Sequence, residues 1–126
     1  MATPDADAQA REAIASVLEA YLEGGRAGES TRMRPAFRET ATIHGHIDGK
    51  VLAGSIELLF DWVDENPPAR DLEATIAGID LAETVATARV EARNWLGHHF
   101  TDQFTLLEED GAWTIVSKVF HAHESA

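Results

Sequence analysis

Apolar residues recur three and four positions apart from Ala10 to Leu22, at Ala10, Ile14, Val17, Leu18, Tyr21 and Leu22. That spacing draws one stripe along an amphipathic helix. Asp5 or Asp7 can cap it, and Gly24-Gly25 can end it. The polar residues before it, 1–5, read as loose. A shorter helix is expected from Ser30 through Phe37, with Met33 and Phe37 inward and Pro35 limiting its length. A third carries the stripe Ile56, Leu59, Phe60 and Val63; Gly54-Ser55 opens it and Asn66-Pro67-Pro68 stops it. Between the second and third, Ala41 to Ala53 reads as a hairpin turning at Asp48-Gly49.

After Pro68 the period changes from helical to two. Leu72–Leu81 is one expected strand. Thr84–Leu96 is a second, with Ala86, Ala88, Val90 and Ala92 on one face. His98–Glu108 and Ala112–His123 complete a meander around Asp110-Gly111. Long antiparallel strands twist and curl. The order of elements therefore predicts an α+β fold, a cone-like curved sheet packed on three helices from the N-terminal half. A cavity should lie between the layers.

The length of 126 residues fits one domain spanning 1–126. The net charge of −12 argues against nucleic acid and anionic membranes as partners, since no basic patch meets them. No cysteine is present, which excludes disulfides, thiolate metal sites and cysteine nucleophiles. The acidic N-terminus does not read as a signal peptide, and no apolar run reaches membrane-spanning length, so a cytoplasmic protein is expected. Phosphate-loop, G-x-S-x-G and H-E-x-x-H patterns are missing.

The candidate chemistry sits on the last strands. Phe100, Asp102, Phe104 and Leu106 alternate onto one face, and Asp102 goes inward with its apolar neighbours. An ionised carboxylate there needs a partner, or it becomes an acid or base. A three-residue Glu109-Asp110-Gly111 loop sets Asp102 opposite Lys118 and Phe100 opposite Phe120. A two-residue Asp110-Gly111 turn sets Asp102 opposite Val119 instead. The first is preferred because it pairs both charges inside a face of Phe100, Phe104, Val116 and Phe120. Such a pair can be structural or chemical. His44 and His46 leave one face of an early strand and can carry protons or, with a third ligand, a metal. Trp95 can stack on a planar ligand, and the hydroxyl of Tyr21 can reach the cavity. Trp62 and Trp113 read as core or interface. Asp61, Asp64 and Glu65 read as a solvated edge.

Tyr21-Leu22-Glu23-Gly24, Phe37, Ala41, Thr101-Asp102, Leu106-Leu107 and the ending Asp110-Gly111-Ala112-Trp113-Thr114-Ile115-Val116 with Lys118 and Phe120 carry a resemblance. Together they resemble the nuclear transport factor 2-like superfamily, in its lumazine-binding branch near the SnoaL-like polyketide cyclases and ketosteroid isomerases. The resemblance implies a cone fold, a homodimer through the exposed sheet face, and a pocket for a small apolar or aromatic ligand, with no cofactor and no metal. It fixes no reaction. Binding without chemistry, acid-base isomerase, dehydratase or cyclase activity, and a dimerisation module all remain open. The expected ligand-binding set is Tyr21, His44, His46, Trp95, Phe100, Asp102, Phe104, Lys118 and Phe120, with Asp102, His44 and Tyr21 as catalytic candidates.

Overall fold

The first helix, α1 (Pro4–Ala27), does not end at Gly24-Gly25 but runs through them. Each interior glycine weakens a helix by up to about 1 kcal/mol, so packing must explain the pair. A Cβ on Gly24 would lie 2.8 Å from that of Met33, and one on Gly25 would lie 2.5 Å from the Trp95 ring. These are points of close approach. The stop is Gly28, whose φ of +68° a side chain would resist. There the Gly28 and Glu29 amides donate to the carbonyls of Gly25 and Gly24. In this computed structural model, which describes residues 4–123, Pro4 and Asp5 are already helical; residues 1–3 of the expected loose segment lie outside it.

The second helix is shorter than expected. α2 (Ser30–Met33) passes into a 3-10 turn at Arg34–Ala36, and Phe37 already begins β1 (Phe37–Ile47). Pro35 accounts for the break, since it cannot donate the next helical hydrogen bond. Ser30 does not cap this helix; its amide and hydroxyl both donate to Asp64, at 2.9 and 2.7 Å. Asp64 therefore ties α2 to α3 (Glu57–Glu65), and the Ser30 hydrogen bonds hold its carboxyl below the usual range. β2 (Lys50–Ser55) follows β1 through a tight turn with positive φ at Asp48 and Gly49, as the Asp-Gly signal requires.

The remaining strands are β3 (Glu73–Ala82), β4 (Val85–Trp95), β5 (His98–Glu109) and β6 (Ala112–His123). They join β1 and β2 in one six-stranded sheet of order β2-β1-β6-β5-β4-β3. β1 and β6 run parallel, and every other neighbouring pair is antiparallel. The inner face of the curved sheet carries Ile43, Val90, Ala92, Phe104, Leu106 and Ile115, and packs against Ile14, Leu18 and Leu22 of α1 and Leu59, Phe60 and Val63 of α3.

Two irregularities decide what faces the cavity. The turn at Asp110-Gly111 has two residues, both at positive φ, which overturns the preferred three-residue loop. Beyond it Leu106 pairs with Ile115 and Thr105 with Ser117, so Val116 bulges out of the ladder. Asp102 then lies opposite Phe120, and Lys118 opposite Phe104. Neither simple register holds. The bulge reverses the alternation on β6, so that Ile115 is buried before it and Lys118 and Phe120 after it, while Val116 leaves the inner face. A second bulge between Ala92 and Trp95, with Asn94 at φ 60°, turns Trp95 inward in the same way.

Candidate functional site

A cavity of about 390 Å³ opens between α3, the end of α1 and the inner face of the sheet. Aromatic rings form much of its wall. Trp62 stands edge-on to Phe100, and Phe100 is edge-on to Trp95 and Phe120, at centroid distances of 6.4, 6.0 and 5.8 Å. Ile43, Ile47, Leu52, Leu58 and Leu59 add aliphatic surface. Phe120 lies across β1 at Gly45, where a Cβ would come within 2.4 Å of its ring. Asp61 and Glu65, exposed on α3, line the rim.

The floor is polar. Lys118 Nζ donates to Asp102 Oδ1 at 3.0 Å, and the Tyr21 hydroxyl donates to Asp102 Oδ2 at 2.8 Å. Relative exposure is 0% for Asp102, 1% for Tyr21 and 4% for Lys118. A carboxylate so buried is tolerable only with such partners. Tyr21 and Lys118 line the cavity, whereas Asp102 sits behind them. Burial, then the charge and hydrogen bond of Asp102, push the Tyr21 phenol well above its usual value, so it stays a donor. Lys118 also lies over the face of Phe120, 4.5 Å from its centroid.

Of the expected ligand-binding residues, Tyr21, Trp95, Phe100, Lys118 and Phe120 meet around this cavity. Asp102 does not touch it, so as a catalytic candidate it can act only through Tyr21 and Lys118. Phe104 packs behind the Tyr21 ring, at 5.3 Å between centroids, and is not a lining residue. His44 and His46 are on the other face of the sheet and exposed, because β1 buries Ile43 and Gly45 instead. Trp62 belongs to the cavity wall rather than to a core or interface, and Asp61 and Glu65 belong to its rim. The helical stripe missed Trp62 and Leu58 because both flank it. They emerge only once α3 is seen to cover a hole instead of a filled core.

His98 stacks on Phe100 on the inner side, while the other histidines share the outer face. His46 sits opposite His121, and the His121 ring meets His123 edge-on at 4.9 Å. His99 stacks on His123 at 4.2 Å. His99 Nε2 is 3.0 Å from Glu91 Oε1, and the Thr101 hydroxyl, which donates to Glu91 at 2.7 Å, lies 2.7 Å from His123 Nε2. Ligand atoms of Glu91, His99 and His123 lie within 4.8 Å of one another, close enough to consider a metal. Yet Arg89 bonds the other oxygen of Glu91 and Arg93 reaches His99, which places two positive charges beside any added cation. Burial would raise the Glu91 carboxyl, but hydrogen bonds from Thr101, His99 and Arg89 outweigh it and bring it to about 2. Burial, then the neighbouring His99 and His121, lowers His123.

Residues 9–121 match the family described as "Putative lumazine-binding". The chain is 32% identical over 113 residues to "Aldolase FrzH" of Cladobotryum sp, covering 89% of this chain and 90% of that protein. A solved NTF2-like protein of unknown function from Shewanella baltica OS155 is 43% identical, with a TM-score of 0.91, over 99% of this chain and 100% of that one. Another, from Methylobacillus flagellatus KT, is 40% identical with a TM-score of 0.89, over 98% and 96%. No helix among the described residues is long and apolar enough to cross a membrane. With its six-stranded mixed sheet closed over three helices, this chain belongs to the lumazine-binding family of the NTF2-like superfamily.

Proposed function

We propose that the cavity binds a small, flat, largely aromatic carbonyl compound, with the carbonyl directed at Lys118. The observation that carries this is a buried ammonium, held by Asp102, at the floor of an aromatic-walled hole. An aromatic-walled hole of about 390 Å³ suits an apolar body. The ammonium would satisfy one oxygen, and the bond would be strong because it is charge-assisted and Lys118 is buried. A pteridine dione such as lumazine fits that description, as do many polyketide-like ketones, and the family description supports the reading.

A second reading adds a reaction. The relative named an aldolase makes bond chemistry beside a carbonyl the favoured class, in line with isomerase- or cyclase-like acid-base work. Lys118 is placed to stabilise an enolate oxygen, with Asp102 and Tyr21 fixing its position. For quaternary structure, we infer a homodimer through the outer sheet face, where Val119 is 48% exposed among polar neighbours. Light scattering at several concentrations tests it.

Native mass spectrometry of freshly purified protein, with denaturing extraction of whatever co-purifies, tests the main reading. An aromatic carbonyl compound retained by the wild type and lost from Lys118→Met supports it. Retention of the same compound by Lys118→Met, or a co-purified ligand without a carbonyl, removes the role given to Lys118.

A further inference from the structure

We propose that Lys118 is a nucleophile, and that it condenses with the carbonyl of its ligand to form a protonated imine. The inference rests on the reading that the cavity takes a carbonyl compound, and goes beyond it by making the contact covalent.

Three observations support the step. The chain holds two lysines, Lys50 and Lys118. Lys50 is exposed at the start of β2, while Lys118 is 4% exposed and projects from a bulged strand into an aromatic cavity. A buried lysine beside an apolar wall is a common imine-forming group, because the wall holds a carbonyl compound against the amine. Next, an attacking amine must first lose a proton, and Asp102 Oδ1, 3.0 Å from Nζ, is in place to take it. Finally, the other Asp102 oxygen is occupied by the Tyr21 hydroxyl, so the carboxylate cannot swing toward the ligand and stays aimed at the nitrogen.

The step balances without an added reactant. The Lys118 ammonium passes one proton to Asp102. The amine lone pair bonds to the carbonyl carbon, and the π electrons move to oxygen, which takes a proton from the newly bonded nitrogen while Asp102 returns its own proton to that nitrogen. The resulting carbinolamine loses its hydroxyl with one further nitrogen proton as water, and a C=N bond forms. Ammonium plus carbonyl becomes iminium plus water, with one positive charge throughout. Asp102 therefore faces a cation at the beginning and at the end, and the buried ion pair is restored when the step is complete. The iminium withdraws electrons from the adjacent carbon and acidifies its C–H bond, as aldol and isomerisation chemistry requires.

The test uses 1-phenylbutane-1,3-dione, whose adduct with an amine is a stable enaminone. Full-length protein is incubated with it, and modified peptides are mapped by mass spectrometry while tryptophan fluorescence is followed. The expected result is a gain equal to the diketone less one water, on Lys118, forming at least about tenfold faster than on Lys50. Lys50→Arg should retain the adduct, and Lys118→Arg should lose it while still showing quenching of Trp62 and Trp95. Asp102→Asn should slow adduct formation more than it weakens quenching. Quenching without an adduct on Lys118, or equal rates at both lysines, overturns the proposal and leaves the binding reading standing. Neither quenching nor adduct, repeated with lumazine as a second probe of binding, overturns both.

Discussion

On the inner face of β5, Asp102 is fully buried and shared between Tyr21 and Lys118. One residue earlier on the outer face, Thr101 joins Glu91 and His123 within reach of solvent. Both are closed polar networks on the same strand. They differ in what breaking them would expose. Inside, each partner removed leaves a charge or donor in a buried position, where water has little access. Outside, His99 and Glu91 keep 27% and 19% of their side-chain surface, so water can take over lost contacts. The inner network is therefore the one whose geometry the fold must hold, and the outer one is the one that pH can tune.

The strongest way to break this comparison is at Asp102. Asp102→Ala strands the Lys118 ammonium and the Tyr21 hydroxyl, and should cost about 3–5 kcal/mol in urea unfolding. The double variant Asp102→Leu/Lys118→Met should recover most of that loss, since an apolar pair suits the same space. A double variant no more stable than Asp102→Ala alone would show that the pair shapes the fold beyond its own charges.

How much of this was legible in the chain follows from where simple alternation holds. It places Asp102, Phe100 and Phe104 inward on β5 and Ala86 to Ala92 inward on β4, and the structure agrees. Counted on from Ala92, however, the period of two sends Trp95 outward; counted on from Ile115, it sends Lys118 outward. Both are buried because a bulge at Asn94 and another at Val116 each add a residue. Asn94 at positive φ is a tolerable exception that no hydrophobic pattern announces. The Asp102–Lys118 pair thus forms in a register that neither simple turn predicts: the bulge offsets Lys118, and its long side chain crosses diagonally. Likewise, Gly24-Gly25 signalled a helix end, yet those glycines serve packing against Met33 and Trp95. His44 and His46 could not be assigned to a face until Gly45, beneath Phe120, fixed which side of β1 is buried.

Gly45 offers the next test, because it makes room for the cavity rather than for the charges. Gly45→Ala drives a methyl into the Phe120 ring and its backbone, and should cost about 1–3 kcal/mol. It should also weaken quenching of the tryptophans by the diketone, while leaving the acid sensitivity of the outer network unchanged.

That acid sensitivity is the counterpart outside. The Glu91 carboxyl is held at about 2 against a usual 4.5, so its contribution is complete above about pH 4.5 and is lost as pH falls toward 2. His123 is lowered, so below pH 6.5 the unfolded chain takes up its proton more readily than the folded one, and stability falls in the same direction. Around these two stand Arg89, Arg93, His99 and His121. Glu91→Gln should flatten the acid limb of the unfolding midpoint by about 1–3 kcal/mol, with little change at neutral pH in the binding of the diketone. Tyr21→Phe comes next in size. It removes one donor from Asp102 while keeping the ring in place, and should cost about 1–2 kcal/mol by denaturant titration with no new pH dependence below 6.

The smallest effect sharpens the comparison most. His44 and His46 are exposed on the outer face and make none of the hydrogen bonds that join Glu91, Thr101 and His123. His44→Ala and His46→Ala should each change stability by less than about 0.5 kcal/mol and leave tryptophan quenching by the diketone unaltered. These two imidazoles are the natural proton carriers if the ligand lies against the outer face, and bystanders if it lies inside. A clear loss of quenching in either variant would therefore move the ligand across the sheet and take Lys118 out of its chemistry. Unchanged quenching would leave the aromatic cavity as the place where the ligand is held.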